Sequence, residues 1–354
     1  MESQFALILP FFPAAIQELI VDRATTEIMI NGGGKTVAVE RNGELMVLSG
    51  VQMNPEQLQA GIENIARLCW NDLTPEYPLL DSRLPDGSRV AAIGPPNSPT
   101  GVTLTIRKFN RWFSTGDLMH LGTLPRQVFP HLAAAVGERK NILISGNTGS
   151  GKTALLKAFA DHIPEQDRLL VIERPMELRL EQPNVVRLEA TNGLPGRPDI
   201  SVGQLVAAAL RHRPDRILLG EIRPNDQSAW HLIEAIHTGH GGTLATLHAA
   251  NAHGALMRLA MMAMAGKNLP VEFVMGEVAE AIQYVVHIER MPDRSRKITE
   301  LVAVRGFDAR TRKFQCEVLY DRREAKAFSA AAGISPSLPE SSFPSNERSL
   351  CQHH

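Results

Sequence analysis

Asn141-Ile142-Leu143-Ile144-Ser145-Gly146-Asn147-Thr148-Gly149-Ser150-Gly151-Lys152-Thr153-Ala154-Leu155-Leu156 is the stretch that decides how this chain folds. Ile142–Ser145 is a short apolar run, as expected of a strand buried on both faces. Gly146 to Thr153 fits G-x-x-x-x-G-K-[ST], and a helix from Lys152 to His162 leaves it. The chemistry needs these residue types. Glycines let successive N–H groups converge on one anion, and the helix adds its positive N-terminal end. Lys152 would neutralise the β- and γ-phosphates, and the Thr153 hydroxyl would ligate Mg²⁺. Gly146, Asn147, Thr148, Gly149, Ser150, Gly151, Lys152 and Thr153 are therefore the candidate nucleotide-binding residues. Gly32-Gly33-Gly34-Lys35-Thr36 ends in the same tripeptide, but Met29 stands where its first glycine should be and a strand follows. Without a helix N-terminus it reads as a hairpin turn.

Downstream, the apolar runs Leu169–Ile172, Val185–Leu188, Ile217–Leu219 and Thr243–Leu247 alternate with helices, which suits a parallel sheet covered on both faces. Sites in such sheets lie at the carboxyl ends of the strands. Glu221 ends one run, placed to hold Mg²⁺ through water or to polarise an attacking water. Gly220 stands where a Walker-B strand usually has aspartate. Glu173 ends another run, and a general base that draws a proton from water suits one of these two carboxylates. Two carboxylates beside a triphosphate must be kept apart or share a metal, or their pKa values rise. His248 closes Thr238–His248 on the same sheet edge as Gly146, where it could donate to a γ-phosphate. His237, His240 and His253 have no zinc-like spacing with an acidic or cysteine partner, and His237 and His240 read equally as loop histidines or as functional groups.

Composition bounds the rest. The 354 residues carry 37 Lys and Arg against 38 Asp and Glu, a net charge of −1, so no broad basic coat for nucleic acid is expected. At 44% hydrophobic residues, whole-chain disorder is excluded. Cys69, Cys316 and Cys351 are too few and scattered for a disulfide framework, and a reducing compartment fits best. The apolar stretch Phe5–Ile16 is broken by Pro10 and Pro13 and has no basic flank before it. It reads as a segment packed on the fold rather than a span or signal peptide.

The first third reads as mixed α/β. Glu27–Ile30 is a strand, Thr36–Glu40 and Leu45–Leu48 flank the hairpin signal Asn42-Gly43, and Pro55–Trp70 has helical spacing. Arg89–Ile93 and Val102–Lys108 are further strands. Gly116, Gly122, Pro125 and Pro130 break the run after Arg111. The expected division is a domain over 1–110, a linker over 111–130, a nucleotide domain over 131–322 and a disordered tail over 323–354. Tyr284–Ile288, Ile298–Val304 and Phe314–Leu319 are the last strand-like pieces.

With these boxes in order, the chain resembles the secretion and traffic ATPases of the type II/type IV secretion superfamily, closest to the conjugal-transfer branch. The resemblance runs through residues 22–308. It rests on the phosphate loop, on Val171-Ile172-Glu173 with Glu177-Leu178, on Leu210–Arg223 and on Thr238–Ala249, with Thr26–Gly32, Leu84–Val90 and Thr105–Lys108 in the first domain. It implies a mixed α/β domain followed by a RecA-like P-loop domain with a central, mostly parallel sheet. It also implies a hexameric ring using ATP and Mg²⁺ at the cytoplasmic face of the inner membrane, with channel proteins as partners, powering pilus assembly or substrate transfer. Glu173 and Glu221 would activate water and support the metal, Lys152 and Thr153 bind nucleotide and metal, and His248 sense the γ-phosphate. Arg89 and Arg107, or Arg211 and Arg213, would stabilise phosphate charge from a neighbouring domain or subunit. The family usually has aspartate after Glu173. Here Arg174 removes one carboxylate and could pair with Glu173, which implies reduced turnover. A pilus or type II motor and a nucleotide-gated scaffold with little turnover are the competing readings. The absence of any C-x-x-C favours the type IV branch over relatives that carry a four-cysteine zinc module.

Overall fold

A computed structural model describes residues 8–324 apart from 23, 42, 70, 85–86, 109–111, 192–197 and 266. The first unit opens with helix α1 (Ala14–Val21), whose Ile16 and Ile20 are buried together with Ile8 and Phe12. The N-terminal segment thus packs on the fold from Ile8 onward. Strands β1 (Thr25–Asn31), β2 (Thr36–Arg41) and β3 (Glu44–Val47) form a meander, with Gly32–Gly34 as the turn between β1 and β2. Helix α2 (Pro55–Leu68) is capped by the Asn54 side chain, which accepts from the Glu56 amide. It buries Leu58, Ile62 and Ile65, the stripe its spacing required.

β4 (Leu79–Arg83), β5 (Arg89–Ile93) and β6 (Thr103–Arg107) complete an antiparallel sheet in the order β3-β2-β1-β6-β5-β4. Alternate residues of a strand face opposite sides. Ile28, Ile30, Val90, Ala92, Leu104 and Ile106 point into the core with the helices. Arg83, Arg89 and Arg107 fall on the other face as direct register partners, one per strand.

The stretch expected to be a linker belongs to the second unit. Helix α3 (Thr115–His120) starts on a capping box between Ser114 and Asp117, and Leu118, Leu124 and Val128 are buried against the second core. Six helical residues are too few to show a period, which is why the sequence there read as irregular. Helix α4 (Phe129–Gly137) leads to β7 (Ile142–Ser145) and α5 (Lys152–Ala160). Then come β8 (Leu169–Glu173), β9 (Val185–Glu189), α6 (Val202–Ala209), β10 (Arg216–Leu219), α7 (Ser228–His237), β11 (Leu244–Leu247), α8 (Ala252–Met264) and α9 (Val271–Ala281). β12 (Tyr284–Arg290), β13 (Arg296–Asp308) and β14 (Lys313–Asp321) close the chain's second sheet, ordered β14-β13-β12-β7-β11-β10-β8-β9. The pairs from β12 through β9 are parallel, and β13 and β14 are antiparallel additions.

Hydrophobic cores lie on both faces of this sheet, one with α4 and α5, the other with α6 to α9. Asn141 pins its middle: its side chain donates to Ala281 O at 2.7 Å and accepts from the Thr243 amide at 3.0 Å. Arg216, 1% exposed, donates to Asp167 Oδ2 and to Val136 O, both at 2.6 Å. Beyond residue 324 the expected tail lies outside the described residues, as do residues 1–7. Among the described residues no helix is long and apolar enough to cross a membrane.

Candidate active site

Strand order decides what can meet the phosphate loop. β7 delivers Gly146, β11 beside it delivers His248, β10 delivers Glu221, and β8 delivers Glu173. At ~4.8 Å per strand, β8 runs roughly 14 Å from β7.

The loop is built for an anion. Gly149 (φ +71°) and Gly151 (φ +99°) hold left-handed backbone, which turns successive amides the same way. A Cβ on Gly146 would lie 2.1 Å from the Ile288 carbonyl oxygen, so only glycine passes beneath β12. The Ser150 hydroxyl is buried with no hydrogen-bond partner among the described residues, an orphaned polar atom inside the loop that a phosphate group would satisfy. Lys152, 8% exposed, donates to Gly146 O at 3.1 Å and Asn147 O at 3.0 Å, and lies 3.3 Å from His248 Nδ1. Burial pulls its pKa down to about 8, while the Glu221 charge acts in the other direction.

His248 Nε2 lies 2.7 Å from Glu221 Oε1. These two contacts suit the tautomer in which Nε2–H donates to Glu221 and Nδ1 accepts from Lys152. Arg223 Nε donates to Glu221 Oε2 at 2.9 Å and Arg223 Nη2 to Arg174 O at 3.0 Å. Lys152, His248, Glu221 and Arg223 therefore form one unbroken polar chain from the loop across two strand ends. Thr153, the second residue of α5, stands with Glu221 as the candidate Mg²⁺ ligand.

Glu173 sits apart from that chain. It is 3% exposed, and its Oε2 accepts from the Glu177 and Leu178 amides, both at 2.8 Å. Burial pushes its pKa up to about 7. The two amide bonds and Arg83 oppose the shift, and the Glu177 charge adds to it. The glycine in place of the Walker-B aspartate now has a reason: a Cβ on Gly220 would lie 2.5 Å from Glu173 Cγ.

Arg174 does not pair with Glu173. Its Nη2 donates to Thr191 O at 2.6 Å and Asp199 Oδ1 at 2.9 Å, because consecutive residues at a strand end face opposite sides. Arg174 therefore does not lower the basicity of Glu173 by pairing with it, while the carboxylate usual at position 174 is still missing.

The candidate arginines separate. Arg89 is held by Glu177, as is Arg83, whose Nη2 lies 3.4 Å from Glu177 Oε1. Arg107 lies at the other end of the same row, near Arg296. Arg296 Nε donates to Gly149 O at 3.1 Å. Partial burial, then the charges of Arg290 and Arg107, lower the Arg296 pKa. Arg211 and Arg213 precede β10, so they occupy the sheet edge opposite Glu221. Nothing local in the sequence singles out Arg83 or Arg296: β4 is only five residues long, and Arg296 sits in a hairpin 147 residues from its loop partner.

An open cleft of about 670 Å³ also lies beside Arg83, Arg174, Glu177 and Glu189. Away from the site, His237 comes within ligand reach of Glu277 and Glu280, acids from a distant helix that local spacing does not reveal.

The family described as type II/IV secretion system protein matches residues 3–325. A probable conjugal transfer protein, TrbB, of Sinorhizobium fredii is 30% identical over 309 residues, covering 86% of this chain and 91% of that protein. The type IV secretion system protein PtlH of Bordetella pertussis is 37% identical over 292 residues, covering 75% and 85%. Among solved structures, the Legionella pneumophila ATPase DotB aligns with TM-score 0.57 at 20% identity over 79% of this chain and 77% of that one, a likeness of fold.

Proposed function

The chain belongs to the type II/IV secretion system protein family, and on that premise we propose that it is an ATP-hydrolysing motor of a type IV secretion or conjugal-transfer apparatus. The observation that carries the reading is the polar chain Lys152–His248–Glu221, 3.3 Å and 2.7 Å per link, beginning inside a glycine loop with an unsatisfied hydroxyl. Lys152 leaves its carbonyl partners for the β- and γ-phosphates, which gather with the loop amides around it. That move frees His248 Nδ1, and the imidazole responds to the γ-phosphate on one side and to Glu221 on the other.

Thr153 and Glu221 would hold Mg²⁺, which would neutralise phosphate charge. A carboxylate poised near neutrality suits proton removal from water, and Glu173 is that group. Because β8 is two strands beyond β11, the attacking water would be reached on the Glu221 side rather than at the loop itself. Arg107, with Arg296 beside the loop, would stabilise phosphate charge from the first domain. The working form is a homo-oligomeric ring, expected to be hexameric, peripheral at the cytoplasmic face of the inner membrane and in contact with channel proteins there.

The test is phosphate release from ATP with Mg²⁺. Turnover is expected in the native chain, with Lys152→Ala at background and Glu221→Gln strongly reduced. Native turnover no higher than that of Lys152→Ala would refute the enzyme.

A further inference from the structure

Arg83, Arg89 and Arg107 form a row across β4, β5 and β6 on the face turned to the second domain. Like charges directly opposite one another on adjacent strands repel, so the row needs counter-charge. Glu177 supplies it at one end, taking both Arg83 and Arg89 on Oε1. Glu177 is four residues beyond Glu173, and the loop doubles back so that its own amide, with that of Leu178, holds Glu173 Oε2. On its other side Glu173 is pressed against Gly220. A displacement of the Glu177 backbone would shift an amide that holds the Glu173 carboxylate.

We propose that Glu177 is a positioning residue: its carboxylate grips the first domain while its amide holds Glu173, so that the docking of one domain is felt at the carboxylate of the other. The inference rests on the reading of Glu173 as the group that accepts a proton from water. An ordinary interdomain ion pair would add adhesion only. Here the same atoms also set the charge around Glu173. The charged groups facing it are Glu177 from the loop, Arg83 from β4 and Glu189, its register partner on β9. Glu177 raises the Glu173 pKa and Arg83 lowers it.

The experiment is the pH dependence of kcat at saturating ATP for Glu177→Gln, an isosteric change, and Arg83→Gln, which removes the charge and shortens the side chain. The acid limb reports Glu173. It is expected to move to lower pH in Glu177→Gln and to higher pH in Arg83→Gln, each on the order of half a pH unit. Limbs that stay in place while the rates merely fall would overturn the proposal and leave an adhesive ion pair. If the native chain has no turnover above Lys152→Ala, the ATPase reading fails separately. The Glu173 carboxyl is then titrated directly as the ¹³C-carboxyl signal missing from Glu173→Gln. The same opposite displacements are expected there, and their absence overturns the proposal.

Discussion

Replacing Glu173 by glutamine tests the central electrostatic claim without any nucleotide. Buried at 3% exposure, the carboxyl titrates at about 7 in the fold, against an ordinary glutamate value of about 4.3. A raised folded-state pKa contributes stability that is fully present below the unfolded value and is lost as pH rises through the folded one. Between pH 4 and pH 8 the native chain should therefore lose about 3 kcal/mol through this one group, at ~1.4 kcal/mol per pH unit. In Glu173→Gln the side-chain amide cannot ionise, yet its oxygen can still accept the backbone amides of Glu177 and Leu178. The remaining groups titrate alike in both proteins and cancel in the difference. The assay is thermal or urea unfolding of both proteins, nucleotide-free, across that pH range. The variant should gain on the native chain as pH rises, by about 3 kcal/mol in all. For a domain of this size that is roughly 6–12 °C in Tm. Parallel stability curves would refute both the raised pKa and the proton-accepting role built on it.

Two further substitutions probe neighbouring claims. Arg216→Met strands the Asp167 carboxylate and the Val136 carbonyl in the core; urea unfolding should show a loss of about 3 kcal/mol, and a loss under about 1 kcal/mol would contradict the burial argument. Arg174→Asp restores the family's usual acid but places it toward Asp199, not Glu173; the ATPase rate should not rise, and a rise would show that Glu173 works short of a second carboxylate.

The sequence made some of this legible because local rules decide it. The phosphate loop, the helix of residues 55–68 and the strands at 142–145 and 169–173 follow from periodicity and glycine placement, which act over a few residues. Strand ends pointed to Glu173, Glu221 and His248, since a parallel sheet collects its carboxyl ends on one edge. What stayed hidden is non-local or too short. α3 has six residues and is held by its cap and its burial. The direction of Arg174 depends on Asp199, 25 residues away. The split between an arginine held on Glu177 and one beside the loop depends on β4, β5 and β6 lying in register, which spacing along the chain does not encode.

The position of β12 beside β7 also has a meaning in time. Ser145 Oγ meets His287 Nδ1 at 2.8 Å across 142 residues of chain, the Ile288 carbonyl covers Gly146, and Arg296 reaches Gly149. At about 5–20 residues per second, translation delivers these partners roughly 7–30 s after the phosphate loop itself. For that interval the loop exists as sequence but not as a pocket, and its strand lacks β12 on one flank throughout and β11 on the other until Leu244–Leu247 is made. Nucleotide binding is thus acquired late in synthesis, once Arg296 has been made and the sheet can close around its own middle strand.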